Sequence, residues 1–357
     1  MELYLFILGR DPELSKKELL AYLQTRNISC TIVESSDIAL IIETSTLHVE
    51  TMIKELGGIQ KIVKVLPSVD NVYTGTENKV RYAISRYTDE EDTEIKVALK
   101  DYFRREKIRA VIKKPQQGFP FLSPTEARGV VEIVLYKQYM GKTVAVFDPR
   151  EHKTRDIQRP VQRVPDAISI RLAKILINLA GAKSGETLLD PFCGIGTILQ
   201  EAMLMGINTI GIDNDPSSIE ATKKNLEWIR NTYHPKGTYK VLKGNARALF
   251  SLVKKADCVV TEPDLGPYLR RLPTGAEAQR IVRELQPLYT QMFQELQKLK
   301  PRTVVIIIPR FETRAKKTYV LSIESVLQRY GFTYEEPIPY QSPTSKILRD
   351  IWILHKA

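Results

Sequence analysis

The chain has 357 residues, 43% of them hydrophobic, and its 53 Lys and Arg residues against 42 Asp and Glu residues give a formal net charge of +11. This length and composition predict a globular protein of two or three domains, and no apolar run reaches the roughly 18–20 residues that a membrane span needs. The basic balance favours a polyanionic partner, because phosphate neutralisation dominates the non-specific affinity of proteins for nucleic acid. The N-terminus MELYLFILGR does not have the pattern of a signal peptide, which predicts a cytoplasmic protein.

The few cysteine and histidine residues argue against a metal site. The three cysteines form no CxxC pair and the four histidines are scattered along the chain. We therefore expect neither a bound metal nor a disulfide framework, and we expect the cysteines to be reduced thiols.

Residues 1–70 alternate between strand-like and helix-like segments. The second predicted helix ends at Gly57-Gly58, a common C-terminal signal. The resulting order, β-α-β-β-α-β, predicts a ferredoxin-like unit. Its predicted strands cover 2–8, 29–35, 38–43 and 62–69, and its predicted helices cover 15–25 and 46–56.

Residues 71–149 predict a second small α+β domain. A strand over 79–87, a charged helix over 92–107 and a strand over 109–115 are followed by a loop over 120–129 and by strands over 130–139 and 142–148, joined at Met140-Gly141. Residues 150–165 form a basic, proline-containing linker. This linker is either a solvated connection or a strip that contacts phosphates through Arg155, Arg159 and Arg163.

Residues 166–357 predict a parallel, doubly wound, Rossmann-like sheet, because strands and helices alternate throughout this segment. The predicted helices cover 167–180, 197–205, 216–230, 275–299 and 319–330, and the predicted strands cover 187–190, 209–213, part of 239–246, 257–263, 304–309, 333–339 and 349–355.

A glycine turn with a carboxylate at the end of its strand carries the strongest functional signal. In DPFCGIGT, Asp190 ends a strand, Gly194 and Gly196 form the turn, and Thr197 begins a helix. Such a turn lets backbone amides approach a ligand, and the carboxylate suits a cationic ligand better than a diphosphate. The run resembles motif I of the class I methyltransferases, especially those that act on nucleic-acid amines. The resemblance implies S-adenosylmethionine as cofactor, held by Asp190, Pro191, Phe192, Cys193, Gly194, Gly196 and Thr197.

Two later positions are predicted to complete the cofactor site. Asp213 ends the next strand, 23 residues after Asp190, and an acid about 20 residues beyond the turn binds ribose hydroxyls in Rossmann-like sites. Asn214 follows it, while Asp215 is predicted to cap a helix. In the resembling family, the turn Gly244–Ala246 usually carries an Asp that meets the adenine amino group. Here Asn245, beside Ala246, offers an amide oxygen instead, although Asn is also common in turns for backbone reasons.

A degenerate motif predicts the place of catalysis. TEPDLGP follows a strand where the amine methyltransferases keep Asp/Asn-Pro-Pro-Tyr/Phe. The resemblance implies catalytic roles for Glu262, Pro263, Asp264 and Leu265, with Glu262 accepting a hydrogen bond from an exocyclic amine and also lining the cofactor site. Asp264 replaces the second proline, and Leu265 cannot stack on a base as an aromatic residue would.

The residues after this motif are candidates for contacts with RNA. Tyr268 is an alternative stacking platform, and Arg270 and Arg271 could contact phosphates or could form a solvated basic turn.

The whole chain resembles the archaeal and eukaryotic tRNA guanosine N2-methyltransferases with a THUMP domain; Arg155, Asp156, Arg159 and Pro160 resemble that family's RDYxRP-type run. The resemblance implies a ferredoxin-like domain over 1–70, a THUMP-like RNA-binding domain over 71–149 and a methyltransferase domain over 166–357. It also implies tRNA as substrate, guanine N2 as target and a small activating partner subunit. Two alternatives stay open: methylation of cytosine N4 or adenine N6 in RNA or DNA, and an RNA-binding protein without catalysis.

Overall fold

The structure, a computed structural model, describes residues 1–89, 92–162, 168–341 and 345–356. The chain divides into two compact units. The first comprises residues 1–19 and 26–153, and the second comprises residues 20–25 and the described residues of 154–357. No helix in the described part of the chain is long and apolar enough to cross a membrane.

The first unit is built on one continuous sheet with the strand order β2-β3-β1-β4-β8-β7-β5-β6. Neighbours are antiparallel except that β5 runs parallel to β6 and β7. The β2-β3-β1-β4 half with its two helices has the predicted ferredoxin-like order, and β4 pairs with β8, so the sheet continues across the boundary predicted near residue 70. The strands are β1 (Glu2–Leu8), β2 (Cys30–Ser35), β3 (Ala39–Thr44), β4 (Ile59–Val65), β5 (Lys79–Arg86), β6 (Arg109–Ile112), β7 (Val131–Tyr136) and β8 (Tyr139–Val146). The helices are α1 (Pro12–Thr25), α2 (Val49–Glu55), α3 (Thr93–Arg105), α4 (Pro124–Ala127) and α5 (Pro149–Gln158), of which α1 and α5 each contain residues of both units.

The turn between β7 and β8 is not where the sequence predicted it. The prediction of a turn at Met140-Gly141 is wrong, because the chain reverses at Lys137, whose φ is +48°, and Tyr136 pairs with Tyr139. Gly141 lies inside β8, where a Cβ atom would come within 2.7 Å of the Lys64 carbonyl oxygen on β4. The glycine therefore serves the close approach of two strands and not a turn.

Two segments predicted without helix contain one. The predicted loop over 120–129 includes α4, which begins with a capping box in which Ser123 and Glu126 satisfy each other's backbone amides. The predicted linker over 150–165 is helical over α5.

The second unit is a Rossmann-like sheet with the strand order β11-β10-β9-β12-β13-β17-β15, in which β17 runs antiparallel to the other six strands. The doubly wound prediction is confirmed. The strands are β9 (Thr187–Asp190), β10 (Asn208–Asp213), β11 (Tyr239–Lys243), β12 (Cys258–Thr261), β13 (Thr303–Glu312), β14 (Thr318–Val320), β15 (Phe332–Tyr334), β16 (Ile338–Tyr340) and β17 (Leu348–Lys356). The helices are α6 (Ile170–Leu179), α7 (Thr197–Leu204), α8 (Pro216–Tyr233), α9 (Leu249–Leu252), α10 (Gly275–Leu299) and α11 (Ile323–Arg329).

The topology fixes where a ligand can bind in the second unit. Strand β9 lies between β10 and β12, and the chain leaves β9 toward β10 before it returns to β12 on the other side. In open α/β sheets, ligands bind beyond the carboxyl ends of the strands at such a switch point. A large apolar cluster that includes Val259, Phe293, Val304 and Leu354 packs α10 and α11 against one face of this sheet, which gives the switch point a rigid support.

Candidate active site

A cleft of about 550 Å³ opens at the switch point, where the loops after β9, β10, β11 and β12 meet. Several of the predicted cofactor and catalytic residues line it together, although they are up to 73 positions apart in the sequence. The lining residues are Pro191, Phe192, Asp213, Asn214, Gly244, Asn245, Ala246, Arg247, Glu262, Pro263, Asp264 and Leu288.

The loop after β9, which contains the glycine turn of DPFCGIGT, forms one wall of the cleft through Pro191 and Phe192. The φ angles of Gly194 and Gly196 are +51° and +85°, a region that favours glycine. At Gly196, which caps α7, a Cβ atom would also come within 3.0 Å of the Thr222 side chain. The buried Cys193 donates its backbone amide to the Ile212 carbonyl at 2.9 Å. The turn therefore depends on glycines at both positions and is tied to β10.

Asp190 lies directly behind this wall and is 1% exposed. Its Oδ1 accepts hydrogen bonds from the Thr261 hydroxyl at 2.7 Å and from the Phe192 amide at 3.1 Å. Burial raises the pKa of Asp190 to about 7, and the negative charges of Asp213 and Glu262 act in the same direction. A positive charge in the cleft would favour the ionised form of this carboxyl group.

Asp213 and Asn245 stand on the next two loops. Asp213 accepts the amides of Gly194 at 2.9 Å and of Asp215 at 3.0 Å, one on each carboxylate oxygen, so each oxygen keeps capacity for a second donor such as a ribose hydroxyl. The Asn245 oxygen accepts the Arg247 amide at 2.9 Å. Asn245 thus has the turn role that the sequence left open, and it also lines the cleft. Asp215 caps α8 as predicted, because its carboxylate accepts the Ser217 and Ser218 amides.

Glu262 follows β12 directly and also lines the cleft. A buried arginine that the sequence analysis did not single out, Arg349 of β17, places Nε 3.3 Å from Glu262 Oε1. The backbone just beyond is held as well, since the buried Tyr289 donates its hydroxyl hydrogen to the Asp264 carbonyl at 3.0 Å and the Asp264 carboxylate accepts the Gly266 amide at 2.8 Å. The loop after β12 is therefore held by side chains from β17 and α10 and by a hydrogen bond within the loop.

Leu265 is not among the residues that line the cleft. Its side chain is half-buried and packs against the apolar cluster under α10. Its predicted share in catalysis stays a prediction. Tyr268 is 64% exposed, as a stacking platform requires. Arg270 is exposed, and the exposed Arg271 forms a bidentate ion pair with Glu277.

The predicted phosphate contacts in the linker are also corrected by the structure. Arg155 is 5% exposed and binds Glu201 through two hydrogen bonds of 3.0 Å. Arg159 is 2% exposed and donates to the Thr197 hydroxyl at 3.1 Å. Both guanidinium groups face protein partners in the interior, which leaves them unavailable to a phosphate. Arg163, the third candidate, lies outside the described residues.

These buried contacts show what the linker does instead. Asn225, fully buried on α8, donates to the Val161 carbonyl at 3.0 Å and to the Ile195 carbonyl at 2.9 Å, and it accepts the Val161 amide at 2.9 Å. Ile195 lies between the two glycines of the turn. A single amide side chain thus fastens the linker to the loop that forms the cleft wall, and Arg159 reinforces the connection at the start of α7.

Comparisons with known proteins agree with this architecture. Residues 158–321 match the model of the RMKL-like methyltransferase domain family, and residues 68–224 match a DNA methylase family. A tRNA (guanine(10)-N2)-dimethyltransferase of Methanothermobacter thermautotrophicus is 27% identical over 292 residues, which cover 80% of this chain and 83% of that protein. The Pyrococcus abyssi protein of the same name is 33% identical over 132 residues, which cover 36% of each chain. The crystal structure of TrmN from Thermus thermophilus aligns with 99% of this chain and 100% of its own, with a TM-score of 0.52 at 15% identity.

The structural match shows a shared fold, and the sequence matches show the relationship. The chain therefore has a Rossmann-like methyltransferase fold and is similar in sequence to curated tRNA (guanine(10)-N2)-dimethyltransferases.

Proposed function

We propose that this protein is an S-adenosylmethionine-dependent tRNA methyltransferase that acts on the exocyclic N2 of guanine. The observation that carries the proposal is the position of Glu262, a carboxylate that lines the switch-point cleft at the end of β12, on the other side of β9 from the strands that precede Asp213 and Asn245. A carboxylate there can accept a hydrogen bond from an amine while the cofactor occupies the rest of the cleft.

The cleft fits S-adenosylmethionine in charge. Asp213, Glu262 and Asp264 line it and Asp190 lies behind its wall, with Arg247 as the basic residue of the lining. This acidic lining suits a ligand that carries an ammonium and a sulfonium. Asp213 would bind the ribose hydroxyls, the turn at Gly194 would approach the amino-acid part, and Asn245 and Ala246 would border the adenine. When bound, S-adenosylmethionine supplies the methyl group.

The side chains around the target amine have to orient and polarise it. The N2 amine of guanine is neutral, so what it requires is orientation and polarisation by a fixed acceptor. Glu262, whose carboxylate forms an ion pair with the buried Arg349, fits that role. The base must leave its stack to reach the cleft, and we propose that Tyr268 and Arg270, both exposed on the loop after Glu262, contact the displaced nucleotide.

The choice of tRNA and of guanine N2 is supported by the relatives, whose printed names specify tRNA (guanine(10)-N2)-dimethyltransferase. The net charge of +11 suits a polyanionic substrate. We assign residues 71–149 as a THUMP-like segment that captures RNA, after a ferredoxin-like segment over 1–70, with methyl transfer assigned to 166–357. A small activating partner subunit and a cytoplasmic location stay predictions.

A first prediction follows from Asp190. In the protein without ligand this carboxyl group is half ionised at about pH 7, and a cationic ligand draws it toward the ionised form. The affinity for S-adenosylmethionine should therefore rise roughly tenfold between pH 5.5 and 7.0, a window in which the ligand's α-amino group stays protonated. Calorimetric titration at the two pH values measures this, with adenosine, which lacks the ammonium, as a control that should not change.

Asp190→Asn is the matched variant. It should bind S-adenosylmethionine more weakly and with the same affinity at both pH values. A wild-type affinity that does not change between pH 5.5 and 7.0 would contradict the role of this carboxyl group.

The proposed function is tested by incubating the protein with S-adenosylmethionine labelled in the methyl group and unmodified tRNA, followed by nucleoside chromatography. We expect label in N2-methylguanosine or N2,N2-dimethylguanosine. Label in another nucleoside would retain the methyltransferase and overturn the target. Binding of both ligands without transfer would favour a missing partner subunit or an RNA-binding protein without catalysis.

A further inference from the structure

Arg349 is a buried cation beside the carboxylate that faces the cleft. It is the second residue of β17 and is 3% exposed. It stands opposite Pro309 of β13 and Tyr340 of β16, so its backbone is held between two neighbouring strands. Its Nε lies 3.3 Å from Glu262 Oε1. The arginine therefore has little freedom to move away from Glu262.

Burial of Arg349 at this location is unfavourable if its only role is to stabilise the fold. An arginine taken out of water loses its hydration, and an apolar side chain of similar size often serves a core equally well. The attraction between the two charges offsets this cost, and it also keeps the partner carboxylate in place. The partner here is the residue that borders both the cofactor cleft and the predicted target amine.

The motif itself explains why such support is needed. The resembling methyltransferases have Asp or Asn at this position, whereas Glu262 has one more methylene group and one more rotatable bond. A longer side chain at a cleft wall samples more rotamers, and a carboxylate that moves by 1 Å loses much of its ability to orient a reactant. An ion pair to one carboxylate oxygen fixes the group from the side of the sheet.

We propose that Arg349 is a positioning residue for methyl transfer: it holds the Glu262 carboxylate at the cleft wall in the orientation that accepts a hydrogen bond from the substrate amine. The inference rests on the proposed function, because it assigns Arg349 a part in that same reaction. Arg349 acts through Glu262 and need not touch the cofactor or the RNA.

The same pair of strands offers a matched control. Arg310 of β13 forms an ion pair with Asp350 of β17, also at 3.3 Å, one residue along from Arg349 and on side chains that are more exposed. Arg310→Met removes an arginine from the same strands without affecting Glu262. It should change kcat less than twofold.

The test uses the full-length chain and the tRNA transfer assay. Arg349→Met should lower kcat about 100-fold, while KM for tRNA and the Kd for S-adenosylmethionine change less than threefold, since positioning acts on the reacting group and not on ligand binding. Arg349→Lys should recover about tenfold in kcat, because an ammonium restores the charge without the planar fork. Thermal unfolding of each variant separates a folding defect from a catalytic one.

A double-variant experiment keeps the inference testable if Arg349→Met is unstable. In a Glu262→Gln background, Arg349→Met should change kcat less than twofold, because the carboxylate that the arginine positions is already absent. Equal losses in both backgrounds, an unchanged kcat in Arg349→Met, or a loss confined to KM for S-adenosylmethionine would overturn the inference while wild-type transfer persists. Absence of transfer by the wild-type protein would instead overturn the proposed function, and the positioning role with it.

Discussion

Replacement of Glu262 by Gln is expected to lower kcat about 100-fold, the scale of a single oriented polar group that acts on a reacting atom. The amide keeps the shape of the side chain but loses the negative charge that polarises the amine. Binding of S-adenosylmethionine and of tRNA should change less than threefold, because each ligand has many other contacts. Steady-state kinetics with separate binding titrations measures both effects.

Glu262→Asp provides a graded comparison, since it keeps the charge but withdraws the carboxylate by one methylene group. Its kcat should lie between those of the wild type and Glu262→Gln. Glu220→Gln, an exposed residue of α8 that pairs with Lys223, serves as the control and should leave kcat unchanged. If Glu262→Gln turned over at the wild-type rate, Glu262 would have no role in the reaction.

The second large effect is on stability. Glu201 of α7 is fully buried and holds Arg155 through two hydrogen bonds, with Lys174 3.9 Å away. Glu201→Gln removes the negative charge that the buried Arg155, 5% exposed, contacts through both of its hydrogen bonds to Glu201. The free energy of unfolding of the second unit should fall by about 3–5 kcal/mol.

Fluorescence can follow this unit alone, because the chain has two tryptophans and both, Trp228 and Trp352, belong to the second unit. Urea unfolding followed at the tryptophans should show the loss as a lower midpoint, with Glu220→Gln near the wild type. The double variant Arg155→Met/Glu201→Met should be more stable than Glu201→Met, because it also removes the buried positive charge of Arg155, which Glu201→Met leaves without its carboxylate. A midpoint for Glu201→Gln within 0.2 M of the wild type would show that this carboxylate is not the anchor of the linker.

Much of the fold could be predicted because its signals are local. Alternation of apolar residues, glycines after helices and the Asp215-Pro216 cap gave the order of elements and the doubly wound sheet. Errors arose where the structure of a segment depends on a strand that is distant in the sequence. Strand β4 covers Ile59–Val65 and not 62–69, and Gly141 is required by the approach of Lys64, a contact that no pattern around residue 141 reveals. The cap of α4, in contrast, was readable from Ser123 and Glu126, which have the spacing of a capping box.

The candidate site divides in a similar way. The residues at the ends of β9, β10 and β12 could be located because strand ends at a switch point converge, and Asp213, Asn245 and Glu262 do line one cleft. The linker arginines were misjudged because a run of basic residues has the same appearance whether it is solvated or paired with a buried Glu201. Arg349 was missed because it lies 87 positions from Glu262 in the sequence, and only the position of β17 in the sheet brings the two together.

The central claim, that this protein methylates the exocyclic amine of guanine, is tested most directly by removing that amine from the substrate. Once the labelled nucleotide in the tRNA is mapped, a transcript with inosine at that position keeps the purine ring and can still pair with cytosine through two hydrogen bonds, but it lacks the N2 amine. We expect this transcript to bind as well as the guanosine transcript and to accept no methyl group at the mapped position. Equal methylation of the two transcripts would contradict the account, because the methyl group would then have gone to another atom.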